Sequence, residues 1–396
     1  MVTVQEAILK LSDIPKSGIR KNLPLSQSLG HFIAEDIVSP MDVPSFDNSA
    51  MDGYAVCWDN EIPENFKLRG TIAAGDIWNE SLTHGEAVRI FTGACIPPGC
   101  KSVIQQEWAQ EQNGWVHFVK PITDNLNIRL KGSQSKKNQI VVSEGQKINS
   151  GIVGLLATLG ISEITVFDQI TVSIIITGNE LIEIGNAPQT AKIFNSNGPM
   201  LLSLFAEKSI HTHPYSRCLD DPKALKLSIL TAMEKSSIIV LTGGISVGDF
   251  DFVKAVLDEI GVAQLYYKIQ QKPGKPLYVG THENKVFIAL PGNPASVYSC
   301  FHAWVNPIVQ QLNGGPSVSK FYEDLPSAKL VNSYFKKPGL THFVKATAKN
   351  GEITILTGQE SFNLSTLNTA NSLAILPEQV EEFSLGTSLK FIPFNN

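Results

Sequence analysis

Ser237-Ile238-Ile239-Val240-Leu241-Thr242-Gly243-Gly244-Ile245-Ser246-Val247-Gly248 is the stretch that decides the fold. Its first five residues are a β-branched run that reads as a strand. The strand runs into a glycine-rich loop. Asp251–Ile260 then has helical spacing and stops at Gly261. The same strand, loop, helix order recurs on either side. Thr171–Ile176 is strand-like and leads to Thr177-Gly178-Asn179-Glu180, with helical spacing from Asn197 to Lys208. Asp221-Pro222 supplies a cap and a first-turn proline for a helix to about Lys235. Val286–Leu290 is a strand followed by Pro291-Gly292-Asn293-Pro294 and a helix to about Leu312. Strands alternating with helices at this spacing argue for a doubly wound, mostly parallel sheet over roughly residues 168–312.

The remainder reads differently. Thr3-Val4-Gln5-Glu6 has capping-box spacing before an N-terminal helix. Residues 31–60 read as short strands and loops, and residues 61–140 hold short apolar runs broken by Gly, Pro and Asn: Ala87–Phe91, Ser102–Gln106 and Trp115–Val119. They suggest a small β-rich domain. Gly151–Gly160 reads as a short apolar helix ended by glycine. Asn313-Gly314-Gly315-Pro316 reads as a linker, and the tail returns to short strands with a turn at Asn350-Gly351. A chain of 396 residues suggests two to four domains. With 43% hydrophobic and 17% charged residues it is no disordered chain or coiled coil. A net charge of −5 gives no sign of a general nucleic-acid binder. No apolar stretch approaches the ~18 residues that span a bilayer, and the N-terminus does not read as a signal peptide. Five scattered cysteines without a CxxC pair predict reduced thiols, a cytoplasmic setting and no zinc site.

In an open parallel sheet, ligands sit beyond the carboxyl ends of the strands. Three loops occupy that place here: Thr177–Glu180, Thr242–Asp251 and Pro291–Pro294. In the second, glycines free backbone N–H groups ahead of a helix, which suits an anion or a plain strand-to-helix turn. Lys272-Pro273-Gly274-Lys275-Pro276 sets two ammonium groups about a tight turn, either for an oxyanion or as a solvated surface turn. Asp47 to Tyr54 is a loop with carboxylates at Asp47 and Asp52, which can hold Mg²⁺, move a proton or simply tie Asx turns. Arg89–Ala94 ends a strand in Thr92 and Gly93, and Arg129 adds a cation. His211-Thr212-His213 reads as ordinary surface or core histidine rather than a metal pair.

Taken in order, these segments resemble one family. Pro44-Ser45-Phe46-Asp47-Asn48-Ser49-Ala50-Met51-Asp52-Gly53-Tyr54-Ala55-Val56 resembles the signature of the MoeA family, the molybdopterin molybdenumtransferases, which includes the gephyrin E domain. Arg89–Ala94, Thr242–Asp249, Lys272–Pro276 and Pro291–Pro294 follow in the family's order, over essentially the whole chain. The resemblance implies four domains: a discontinuous linking domain at 1–38 and 139–167, an inserted β-rich domain at 39–138, an α/β molybdopterin-binding domain at 168–312, and a small C-terminal β-barrel at 313–396. It implies a homodimer with the active site between the α/β domain of one subunit and the inserted domain of the other.

It also implies a reaction. Adenylylated molybdopterin and molybdate yield molybdenum cofactor and AMP with Mg²⁺, and the molybdopterin adenylyltransferase and apo-molybdoenzymes are candidate partners. By the same resemblance Asp52, Thr92, Arg129 and Asp251 are the catalytic candidates, Thr92 and Arg129 toward molybdate. Gly243, Gly244, Ser246, Gly248, Lys272, Lys275, Pro291, Gly292 and Asn293 would bind the pterin nucleotide. Glu180, Asp220 and Asp251 would serve the metal. Two positions depart from the family's usual acidic residues: Gln134 and Asn195. Glutamine and asparagine carry no charge for a metal and cannot act as bases. The alternatives are therefore a catalytically weakened molybdopterin-binding scaffold, and a molybdopterin adenylyltransferase using ATP.

Overall fold

The computed structural model describes residues 1–245 and 252–394. Its centre is a six-stranded sheet. In chain order the strands are β1 (Val172–Thr177), β2 (Ser216–Cys218), β3 (Ile238–Thr242), β4 (Ala263–Tyr267), β5 (Tyr278–His282) and β6 (Lys285–Leu290). Their spatial order is β2-β1-β3-β6-β5-β4. β2, β1, β3 and β6 pair in parallel, whereas β5 runs antiparallel to both β6 and β4. The strand–helix alternation predicted the parallel half. The reversed edge was not legible, because β5 and β6 meet through a short hairpin rather than through a helix.

Helices cover both faces. α1 (Asn197–Glu207), α4 (Pro294–Cys300) and α5 (Asn306–Leu312) pack Leu201, Phe205, Val297 and Ile308 on the face showing Ile174, Val240 and Ile288. α2 (Pro222–Lys235) and α3 (Phe252–Ile260) pack Leu225, Ile229, Val256 and Leu257 against Ile175, Ile239 and Phe287. β1 and β3 are buried at every residue, the signature of a sheet covered on both sides. Asp221 caps α2 by accepting from the Ala224 N–H at 2.7 Å, with proline in its first turn. The chain passes from β1 out to β2 and back to β3, so the sheet's topology reverses between β1 and β3. That crevice is where ligands enter such sheets.

Ahead of this sheet lies a second six-stranded one, with spatial order Ser102–Gln105, Gly53–Cys57, Glu86–Ile90, Asn65–Ile72, Trp115–Phe118, Ala109–Gln112. Arg20–Pro24 pairs with Glu163–Phe167 and Ile37–Val38 with Ile140–Val142, so segments from either side of that sheet lie together. In the tail, Thr341–Lys349, Glu352–Ile355, Ser327–Leu330, Ser388–Pro393 and Ser372–Leu376 pair in sequence and return to Thr341–Lys349, closing a five-stranded barrel.

The Asn313–Pro316 stretch differs from its reading as a linker. Asn313, Gly314 and Gly315 are buried. Asn313 Oδ1 accepts from the Ile170 N–H at 2.8 Å. A Cβ on Gly314 would fall 2.0 Å from the Phe167 ring. The glycines are there for close approach of an aromatic ring, so the turn is a packed joint.

Candidate active site

Two clusters of predicted site residues form, on different sheets. The first follows from strand pairing. Gly53 opens one strand and lies opposite Ile90 at the end of its antiparallel neighbour. The residue before the first strand, Asp52, therefore meets the loop after the second. Asp52 Oδ1 accepts from both the Thr92 N–H and the Thr92 hydroxyl, each at 2.7 Å. These bonds, the hydroxyl's foremost, hold the Asp52 carboxyl below the usual aspartate range and keep it ionised. Gly53 is required beside it, since a Cβ there would fall 2.0 Å from the Ile104 carbonyl oxygen. Arg89 lies over the Tyr54 ring, 4.9 Å from its centroid, and its guanidinium bonds to Gln106.

Asp47 does not join Asp52. Its Oδ1 accepts from the Lys131 N–H at 2.6 Å, which ties the loop to the segment carrying Arg129. Arg129 pairs with Asn48 in a short antiparallel bridge and presents an exposed guanidinium, in no ion pair among the described residues. Gln134 is exposed, with its backbone N–H on the Val43 carbonyl.

The second cluster lies where β3 and β6 end. Gly243 and Gly244 have φ of +86° and +62°, and a Cβ on Gly243 would fall 2.6 Å from the Thr177 carbonyl oxygen. Only glycine lets the loop after β3 pass this close to the end of β1. Gly292 stands against Gly243, and its carbonyl accepts from Asn197 Nδ2 at 2.9 Å. Pro291 and Asn293 border a cleft of about 500 Å³ with Lys272 and Lys275, both exposed. Its far wall comes from the C-terminal barrel: Leu340, Gln359, Glu360 and Ser361. Asn293 Nδ2 donates to Ser361 Oγ at 2.9 Å, and the Ala295 N–H to the Ser361 carbonyl at 3.1 Å. Sequence reasoning missed Ser361 and Glu360, because nothing local marks a barrel loop as a neighbour of α4.

The acidic candidates sit across the β1 loop. Asp220 Oδ2 accepts from the Asn179 N–H at 3.0 Å, and Asn179 Oδ1 accepts in return from the Asp220 N–H at 3.2 Å. Glu180 is exposed, with its carboxylate in the space that a Cβ on Gly178 would fill. Ser246, Gly248 and Asp251 lie outside the described residues. Among the described residues no three His, Cys, Asp or Glu side chains gather as a metal cage. In donor type alone, a carboxylate such as either of these suits a hard cation of the Mg²⁺ kind, which typically takes one or two carboxylates and completes its shell with water and substrate phosphates.

Asn195 has a structural account. It is 1% exposed. Its Oδ1 accepts from the Gly198 N–H at 3.0 Å, at the start of α1, and its Nδ2 donates to Glu183 Oε1 at 3.3 Å. The other Glu183 oxygen accepts from the Tyr215 hydroxyl at 2.6 Å. An aspartate at 195 would set two carboxylates together, whereas asparagine donates to the one present.

Comparison with known proteins agrees with this architecture. Residues 2–160 match the MoeA N-terminal region (domain I and II), 173–311 the family described as "Probable molybdopterin binding domain", and 327–394 the MoeA C-terminal region (domain IV). The chain is 32% identical over 403 aligned residues to a molybdopterin molybdenumtransferase of Staphylococcus aureus strain Mu50, covering 99% of this chain and 95% of that one. It is 31% identical, with the same coverage, to a molybdopterin molybdenumtransferase of Staphylococcus epidermidis strain ATCC 12228. A crystal structure of the molybdopterin biosynthesis moeA protein from Pyrococcus horikoshii OT3 superposes with a TM-score of 0.84 at 27% identity, covering 99% of each chain. The chain belongs to the MoeA family and is a transferase enzyme of molybdenum-cofactor biosynthesis.

Proposed function

We propose that this chain is a Mg²⁺-dependent molybdopterin molybdenumtransferase that inserts molybdate into adenylylated molybdopterin and releases AMP. The observation that carries the reading is the cleft in which Lys272 and Lys275 border Pro291 and Asn293 of the loop after β6, a loop whose Gly292 stands against Gly243. A pterin nucleotide with a pyrophosphate link is the polyanion such a cleft suits. Lys272 and Lys275 neutralise it, and Gly243, Gly244, Pro291, Gly292 and Asn293 shape its bed. Ser246 and Gly248 belong to the same proposed nucleotide-binding set. Asp52, held ionised by Thr92, would accept a proton; Arg129 would supply a cation to molybdate, with Thr92 beside it. Glu180 and Asp220, with Asp251, would hold Mg²⁺. When bound, the ion would polarise the phosphoanhydride.

The family resemblance implies a homodimer with a shared active site, and the proposal includes one in which one copy's Asp52 face meets the other's cleft. Phe46, Met51, Phe91 and Leu130 are exposed around Asp52 at 44%, 42%, 37% and 54%, an apolar rim that suits a covering partner. The reaction belongs in the cytoplasm, between the adenylyltransferase that supplies the nucleotide and the apo-molybdoenzymes that take the cofactor.

The test is direct. Purified protein given adenylylated molybdopterin, molybdate and Mg²⁺ should release AMP, followed by chromatography, and should activate an apo-molybdoenzyme. Pterin binding without molybdate-stimulated AMP release would replace this reading with a scaffold. ATP-dependent labelling of molybdopterin would replace it with an adenylyltransferase.

A further inference from the structure

The lysine turn is held from behind by a buried amide. Gln271, immediately before Lys272, is 1% exposed, and both ends of its side chain are engaged. Its Oε1 accepts from Trp304 Nε1–H at 2.8 Å. Its Nε2 donates to the Gly274 carbonyl at 3.2 Å and lies 3.5 Å from Cys300 Sγ. Gly274, between the two lysines, has φ +82°, and a Cβ there would fall 2.3 Å from Cys300 Sγ. The turn is therefore pressed onto Cys300 and stitched to Trp304.

Trp304 is itself fully buried, with the Tyr322 and Phe343 rings 5.7 and 6.1 Å away. It belongs to the π-helical turn Phe301–Val305 that joins α4 to α5. Such turns re-aim side chains within a helical run and recur at functional sites. α4 begins directly after Pro291-Gly292-Asn293. One helical run thus carries the loop on one side of the cleft and the indole that holds the turn on the other.

We infer that Gln271 is a positioning residue: through Trp304 and Gly274 it sets the spacing of Lys272 and Lys275, so that both ammonium groups meet a single diphosphate-type anion. The inference rests on the proposed reading of the cleft as a polyanion site. An exposed lysine side chain is free to rotate, so what the protein can preset is the backbone from which it springs. A fully paired buried amide is a rigid means of doing so. Removing it leaves the Trp304 N–H without its partner and lets the turn relax.

Inorganic pyrophosphate is the probe, measured by calorimetry on the full chain. Q271A should weaken binding by about tenfold through lost preorganisation. W304F, which keeps a ring and removes the N–H, should weaken it in the same direction and decides the matter if Q271A does not fold. In a K272A/K275A background Q271A should add no further loss. With adenylylated molybdopterin, Q271A should raise KM while kcat is held. A variant that lowers the melting temperature yet binds pyrophosphate as wild type does overturns the inference. So does an equal loss in the lysine-free background, or wild-type protein that ignores pyrophosphate. Wild-type protein that binds pyrophosphate and not adenylylated molybdopterin overturns the substrate reading alone.

Discussion

Asp52 and Thr92 are forty positions apart, yet Thr92 places two bonds of 2.7 Å onto one Asp52 oxygen. Asp52→Ala should lower the rate by roughly 10²–10⁴ if the carboxylate moves a proton. Thr92→Val removes the hydroxyl bond that contributes most to holding the Asp52 carboxyl below its ordinary range. The Asp52 pKa should rise, and activity that requires the ionised form should begin to fail at a higher pH as the solution is acidified. A pH–rate profile reads this as an acid limb displaced upward. An unmoved limb would mean that Asp52 does not control it. At this scale sequence reading reached both residues, Asp52 as one of two loop carboxylates and Thr92 as a hydroxyl ending a strand, and the family resemblance singled them out. It reached neither Glu183 nor Ser361, whose neighbours come from distant segments.

Among the elements, the turn that ends β3 at Gly243 is held close to the end of β1. Gly243→Ala would put a methyl 2.6 Å from the Thr177 carbonyl at a φ of +86°. The strain should cost about 1–3 kcal/mol and appear as a lower urea midpoint, together with weaker anion binding. Wild-type stability in that variant would show that the loop is free to move away from β1. The strands and helices themselves were legible because the apolar runs, caps and glycine stops are local. Arg20–Pro24 and the antiparallel strand β5 were not: the burial pattern of Arg20–Pro24 is one apolar residue among exposed ones, and its pairing with Glu163–Phe167 is long-range.

For the whole molecule, the joint between the helical run and the C-terminal tail is where pH should act on stability. His302 is completely buried, with the Tyr298 and Phe394 rings 4.8 and 4.5 Å away, and neither ring nitrogen has a hydrogen-bond partner among the described residues. Burial first, and the neighbouring Lys208 ammonium second, push its pKa down to about 3 from 6.5. The unfolded chain takes up a proton as pH falls below that ordinary value, while the folded chain does so only near pH 3. Stability is therefore full above the unfolded value and drains away as pH drops through the window between the two. Between pH 6.5 and 5 this one group should account for up to about 2 kcal/mol. Urea unfolding of His302→Leu across that range should show a flatter pH slope than wild type; an identical slope would assign the acid sensitivity elsewhere.

What the chain determined by itself was the local order: buried β-branched strands, capped helices, glycine loops at strand ends, and a lysine turn. These depend on neighbours within a few residues, where periodicity and backbone preference act. Only the tertiary structure decided that a barrel loop walls the lysine cleft, that Thr92 bonds to Asp52, and that Gly314 seats Phe167. Such contacts are set by strand register and close packing between distant segments, and no local pattern encodes which segments those are.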